Sequence, residues 1–269
     1  MTSQVFVGFL DSLSALPREE ETMDGGGGSD TTGGSQAEGS VNEQEVTDPE
    51  GDTLLGTSDR DRYIGGEGTD CLTGSLNQDT LYGGGERDTL LGEGSGDVLF
   101  GNTQGDSILG GGGDDSIYGG KSGDVIFGEA GVDLIFGNLG GDSIFGDANN
   151  DCLYGGQDND FLSGDAGDDF LSGDVGIDTL IGGDGQDSFA LSSNTGGDSE
   201  FFADRILDYI PEEDQIVLVG DLNQGDLEFE EITIDDASGV LIQTDDSDNP
   251  QFLAFVVGMT ENDLDIVVI

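Results

Sequence analysis

An aspartate returns every nine residues along half of this chain: Asp52, Asp61, Asp70, Asp79, Asp88, Asp97, Asp106, Asp115, Asp124, Asp133, Asp142, Asp151, Asp160, Asp169, Asp178 and Asp187. Sixteen aspartates hold that phase without a slip. Two places after each stands Leu, Ile, Tyr or Phe, from Leu54 to Phe189. Four places after each of the first fifteen stands glycine, from Gly56 to Gly182. A tract that is merely acidic and glycine-rich does not keep a hydrophobic phase over fifteen intervals, so the period marks a stacked repeat.

One unit, GDAGDDFLS at Gly164–Ser172, shows what the period does. Gly164 and Gly167 are expected at positive φ in a tight turn. Asp169 closes the turn, and Phe170–Ser172 is expected to form a three-residue strand with Leu171 on one face. One apolar residue per strand cannot bury itself alone. Two such strands back to back can, if the chain coils. One coil is then two units, and sixteen aspartates give about eight coils, stacked about 4.8 Å apart as parallel strands are.

Coiling sets each aspartate beside the one eighteen residues later, Asp133 by Asp151 and Asp142 by Asp160. Two columns of bare carboxylates repel. The whole chain compounds this, with 59 acidic residues against 6 basic ones and a formal net charge of −53. A hard divalent cation between turns reverses the sign. Calcium takes six to eight oxygens at about 2.3–2.6 Å in flexible geometry, whereas magnesium demands a tighter octahedron. The expected ligands are the sixteen aspartates together with the turn glycines Gly110, Gly113, Gly128, Gly131, Gly137, Gly140, Gly164, Gly167, Gly173, Gly176, Gly182 and Gly185. Eight aspartates per column leave seven gaps, so two columns hold at most about fourteen calcium ions.

The units resemble the G-G-x-G-x-D-x-U-x nonapeptide of the repeats-in-toxin (RTX) family, the hemolysin-type calcium-binding repeats. Gly110–Tyr118, GGGGDDSIY, and Gly182–Ala190, GGDGQDSFA, fit it at every position. The resemblance implies an all-β fold: a right-handed parallel β-roll solenoid, two nonapeptides per coil and about eight coils, with a β-rich C-terminal cap. It also implies a chain that is unfolded without calcium and folds when calcium binds, after leaving the cell through a type I secretion exporter. Its expected location is extracellular, secreted or attached to the cell surface.

The seventh place after each aspartate is glycine at 68, 113, 131, 140, 167, 176 and 185. Elsewhere it is Asp59, Asn77, Glu86, Ser95, Gln104, Ser122, Asn149 or Asp158. Asn and Asp tolerate a left-handed backbone better than Glu, Gln and Ser. Only one of the first six turns keeps the glycine, against six of the last nine. Tighter calcium sites and the start of folding are therefore expected between Gly110 and Asp187.

Four regions follow. Residues 1–23 carry an apolar stripe, Val5, Phe6, Phe9, Leu10, Leu13 and Leu16, that suits a short helix acting as an end-plug or a partner-binding helix. Met1–Gln4 has no basic residue, unlike an ordinary cleavable secretory signal. Residues 24–51 are nearly devoid of apolar side chains and are expected to be a flexible linker. Residues 52–190 form the roll. Residues 191–269 form the cap, with strand-like runs DQIVLVG, LEFEEITI, GVLIQT, FLAFVVG and LDIVVI. Within it, Asp204–Leu218 resembles a D-x-I-x-D-F…D-x-I-x-L segment that often follows such repeats. Asp208 and Asp214 are candidates there for further calcium oxygens or for a solvated strand edge. The terminal LDIVVI looks like the uncleaved signal of type I secretion substrates.

Several functions drop out. The absence of histidine removes zinc–histidine sites and Ser-His-Asp chemistry. The charge disfavours nucleic acid, and no apolar run is long enough for a transmembrane helix. Cys71 and Cys152 are nine units apart, which puts them on opposite sheets and excludes an intramolecular disulfide. They stand in outward places that suit Ser or Thr equally, or they crosslink chains. A row of outward aromatics, Tyr82, Phe100, Tyr118, Phe136 and Tyr154, either stiffens one sheet or mediates self-association. The reading is a secreted, non-enzymatic calcium-binding protein of structural or surface-associated role. The alternatives are a self-assembling matrix or surface-layer component, and an exported calcium-dependent enzyme or toxin accessory.

Overall fold

The computed structural model describes residues 42–45, 51–192, 203–245 and 251–268. The apolar stripe of residues 1–23 lies outside the described residues. From Thr53 the chain alternates between two parallel sheets, one strand per nonapeptide. Alternate strands of the roll fall in an eleven-stranded sheet and a twelve-stranded one, and the C-terminal strands extend both. Each strand pairs in parallel with the strand eighteen residues on, as Ile126 with Ile144 and Ile135 with Leu153. The result is a β-solenoid of about eight turns.

The residue two places after each aspartate points inward. From Tyr63 to Phe189 every one of these is fully buried, so the two sheets share one continuous apolar column. Tyr63 replaces an aliphatic residue there, and its hydroxyl donates to the Leu55 carbonyl at 3.2 Å.

The strands are longer than the three residues expected. The unit after Asp169 runs from Phe170 to Val175, and most others likewise span six residues. The extension crosses a kink: pairing skips the glycine four places after the aspartate and resumes at the fifth place, as Glu129 with Asp147 and Asn138 with Gly156. Left-handed backbone falls at the fifth and seventh places, not at the fourth. Glu129 has φ 71°, Asn138 80° and Asp165 68°, whereas Gly164 is not left-handed.

Asn42–Glu45, inside the stretch expected to be a linker, is a strand paired in parallel with Asp61–Gly66. Its backbone takes hydrogen bonds from an otherwise open sheet edge, which outweighs its poverty in apolar residues. Each of the five apolar runs of the C-terminal region contains a strand: Gln215–Leu218, Leu227–Ile234, Ala237–Thr244, Phe252–Val257 and Ile266–Val268. Asp204–Ile206 and Phe252–Val257 continue one sheet of the roll in parallel, and an antiparallel pair then closes that sheet.

Candidate metal centre

Each ladder aspartate ends a turn and begins a strand, with its side chain turned into the roll. Its backbone carbonyl accepts the amide of the residue nineteen places on, as Phe170 to Asp151 at 2.9 Å. Its backbone amide donates to Oδ1 of the aspartate eighteen places on. Asp124 donates to Asp142 at 2.7 Å, Asp133 to Asp151 at 2.8 Å and Asp142 to Asp160 at 2.8 Å. The same rung recurs from Asp52 to Asp187. The two aspartate columns foreseen from the period are thus built, and each carboxylate has one oxygen satisfied.

The other oxygen is not. From Asp79 to Asp187, thirteen consecutive ladder aspartates keep Oδ2 buried without a hydrogen-bond partner. Their residues are no more than 4% exposed. What stands beside Oδ2 is another acceptor. A Cβ on Gly128 would lie 2.5 Å from Asp133 Oδ2 and 2.8 Å from the Gly146 carbonyl oxygen. On Gly146 it would lie 2.6 Å from Asp151 Oδ2 and 2.9 Å from the Gly164 carbonyl oxygen. Carbonyls of Gly110, Gly128, Gly137, Gly173 and Gly182 stand in the same relation to the carboxylates of Asp97, Asp115, Asp124, Asp160 and Asp169. The fourth-place glycine is therefore required by lack of room, not by its φ.

A row of oxygen acceptors with no donor is an environment for a cation. The donor set is all oxygen, hard and partly backbone, which suits calcium and not zinc or copper. Among the described residues no three carboxylates or thiols converge on one point. Side chains alone cannot hold an ion here, and carbonyls must complete the shell.

A family model for the RTX calcium-binding nonapeptide repeat matches residues 55–193 through overlapping copies at 55–90, 73–108, 91–126, 100–135, 127–162 and 163–193. The chain belongs to this family. No curated protein matches it. RTX repeats bind calcium, and the acceptor rows lie within the matched segment.

The electrostatics of the RTX columns agree. Burial pushes Asp124, Asp151 and Asp160 from the ordinary 3.8 up to about 8; the amide donor works against this, and neighbouring aspartates add to it. Asp79, Asp88, Asp97, Asp133, Asp178 and Asp187 are raised to about 7, and Asp106, Asp115, Asp142 and Asp169 to about 6, with burial again the first cause. A folded roll without a cation therefore favours protons on Asp124, Asp151 and Asp160 near neutrality.

Not every candidate joins the rows. Asp61 Oδ2 already accepts the Thr57 amide at 2.6 Å. Of the seventh-place glycines, Gly68, Gly113, Gly131, Gly140, Gly167 and Gly185 are left-handed and Gly176 is not. Asp208 and Asp214, the candidates after the repeats, are tied to backbone amides. Asp208 takes the Gly182 and Gly183 amides, one on each oxygen at 2.9 Å, and seals the last turn. Asp214 takes the Asp187 amide at 3.0 Å and the Ile210 amide at 2.7 Å. Sequence reasoning missed Asp204, which accepts the Asp178 amide at 3.0 Å and continues the other column. Its signal was in the sequence: Asp204 is followed two places later by Ile206, the ladder pattern after an insertion.

Cys71 and Cys152 are free and lie on different sheets. Burial, then the charges of Asp151 and Asp169, raise the Cys152 thiol above its ordinary value.

Proposed function

We propose that this chain is a secreted, non-enzymatic protein whose roll folds as calcium ions enter between its stacked turns. The observation that carries this is the unbroken row of buried, unpartnered Asp Oδ2 atoms from Asp79 to Asp187, ten of the thirteen beside a glycine carbonyl oxygen. The ligands are the ladder aspartates through Oδ2 and the fourth-place glycines, Gly110 to Gly182, through their carbonyls. When bound, calcium supplies the positive charge that two stacked carboxylate columns need. The turns supply preformed oxygens, exclude water and fix the spacing at one coil.

The proposal of a non-enzymatic role rests on how the carboxylates are used. Those of the ladder aspartates are committed to rungs and acceptor rows. A cleft of about 550 Å³ at the seam between roll and cap brings Asp168, Glu212, Glu213 and Asp265 near Cys152. With a raised thiol and no histidine in the chain, that cleft offers no activated nucleophile. The proposal of export through a type I exporter rests on the family and on coupling: a chain unfolded at cytosolic calcium threads a narrow exporter and folds outside.

Far-ultraviolet circular dichroism during a calcium titration, with magnesium as control, tests the core of this reading. A cooperative β signal is expected with calcium at about 0.1–1 mM, the range of extracellular modules, and little change with magnesium. A chain already folded in chelator would mean that the columns are neutralised in some other way.

A further inference from the structure

The two aspartate columns end differently. One runs from Asp61 to Asp214, and at each end Oδ2 is held by the amide four residues earlier, from Thr57 at 2.6 Å and from Ile210 at 2.7 Å. The chain's own donors close that column. The other runs through Asp142, Asp160 and Asp178 into Asp204 of the cap, where the rung is repeated across a 26-residue step. Among the described residues no donor closes this end. Asp204 is fully buried and its Oδ2 has no hydrogen-bond partner; Asp178 Oδ2 has none either. The neighbouring cation does not serve, because Arg205 pairs with Asp235 at 2.7 Å. An unpaired buried carboxylate is costly enough that something must neutralise it.

We propose that Asp178 and Asp204 hold one further calcium ion at the seam between roll and cap, so that the ion ties the cap to the roll. This rests on the calcium reading of the repeats and extends it beyond the matched segment. Asp204–Ile206 is the strand on which Phe252–Val257 docks. A calcium ion at Asp204 therefore makes docking of the cap depend on the same ion that fills the roll.

The test uses the full chain. Asp204→Asn keeps Oδ1 for the Asp178 amide and places an NH₂ group where the cation would sit. Calcium per chain, measured by equilibrium dialysis and atomic emission, should fall by one. Amide hydrogen exchange at Phe252–Val257 should quicken by at least tenfold while Ser116–Asp184 stays protected. Asp214→Asn should leave the ion count unchanged. Equal counts in wild type and Asp204→Asn overturn the seam site, with a proton shared by Asp178 and Asp204 in its place. A wild-type chain that binds no calcium overturns the reading of the repeats instead. Should Asp204→Asn gain no β signal with calcium, graded chelation of the wild type decides: the cap should open on loss of one ion, before the roll. A cap that opens only together with the whole roll overturns the proposal.

Discussion

The ladder aspartate does two opposed jobs with its two oxygens. Oδ1 is a structural acceptor that fixes the coil below it, and Oδ2, left without a donor, is the atom we propose for the cation. Asp142→Asn separates them, because the amide oxygen still receives the Asp124 amide while the charge at Oδ2 is removed. The calcium midpoint of folding should rise severalfold, since ligand charge sets affinity in such sites. An unchanged midpoint in the dichroism titration would count against Oδ2 as a ligand. Protons compete for the same atom, and the sign follows from the raised pKa values. With Asp124, Asp151 and Asp160 near 8 in the ion-free roll against 3.8 in the unfolded chain, folding without calcium takes up protons. That contribution to stability is fully present below about pH 4 and is lost as the pH rises through about 6 to 8. In chelator, β signal should therefore grow as the pH is lowered from 8 towards 4. With calcium present, less calcium should be needed for half-folding as the pH falls over the same range, because protons and calcium both favour the folded roll over the unfolded chain. Identical spectra in chelator at pH 8 and pH 5 would contradict this. Glycine carries the other half of the site. Gly128→Ala sets a Cβ against Asp133 Oδ2 and the Gly146 carbonyl and should cost about 1–3 kcal/mol in a denaturant titration of the loaded protein.

At the scale of the strand, the outward aromatic row acts as a brace within one molecule. Tyr82, Phe100, Tyr118, Phe136 and Tyr154 stack at centroid distances of 4.8, 4.9, 5.3 and 4.9 Å with their planes within 13° of parallel. Arg62 covers the first ring at 5.2 Å, and Phe170 meets the last at 46°. The ring faces are spent on one another, so only edges are left for a partner. Tyr118→Ala removes two stacks, each worth about 0.5–1.5 kcal/mol. It should lower the denaturation midpoint without changing the sedimentation coefficient; a loss of oligomer on substitution would restore self-association as the role of this face. The period made the strands, the inward column and this row legible from sequence, because side-chain direction follows position in the unit. It hid the fifth-place kink, since Gly, Ser, Glu, Asn and Asp all occupy that place, from Gly66 to Gly183, and no residue type marks it. It also hid the orphaned oxygen, because a spacing of aspartates does not say which carboxylate atom meets an amide. The cap columns were obscured by steps of 26 and 27 residues in place of eighteen.

Across the whole molecule, backbone strain should decide where folding starts. Counting seventh-place glycines alone gave a steep contrast between the two halves. The structure adds the fifth place and softens it: non-glycine left-handed residues number seven over the first six turns, Ser75 to Gln104, and eight over the last nine, Ser122 to Asp174. The contrast survives in residue type. Five of the first seven are Ser, Glu or Gln, whereas six of the last eight are Asn or Asp, which bear a left-handed backbone at lower cost. The later half also adjoins the cap, where Asp208 seals a turn and the antiparallel strands close one sheet. Solenoids fold by propagation from their most stable repeats. Hydrogen exchange at rising calcium should therefore show protection first in strands from Ser116 to Asp184 and last in Thr53–Leu55 and Asp61–Gly66. Glu129→Gly, which relieves a left-handed glutamate at φ 71° and removes one charge, should lower the calcium concentration for that first step. Protection that begins at the N-terminal coils would show that ion binding, and not backbone strain, sets the order.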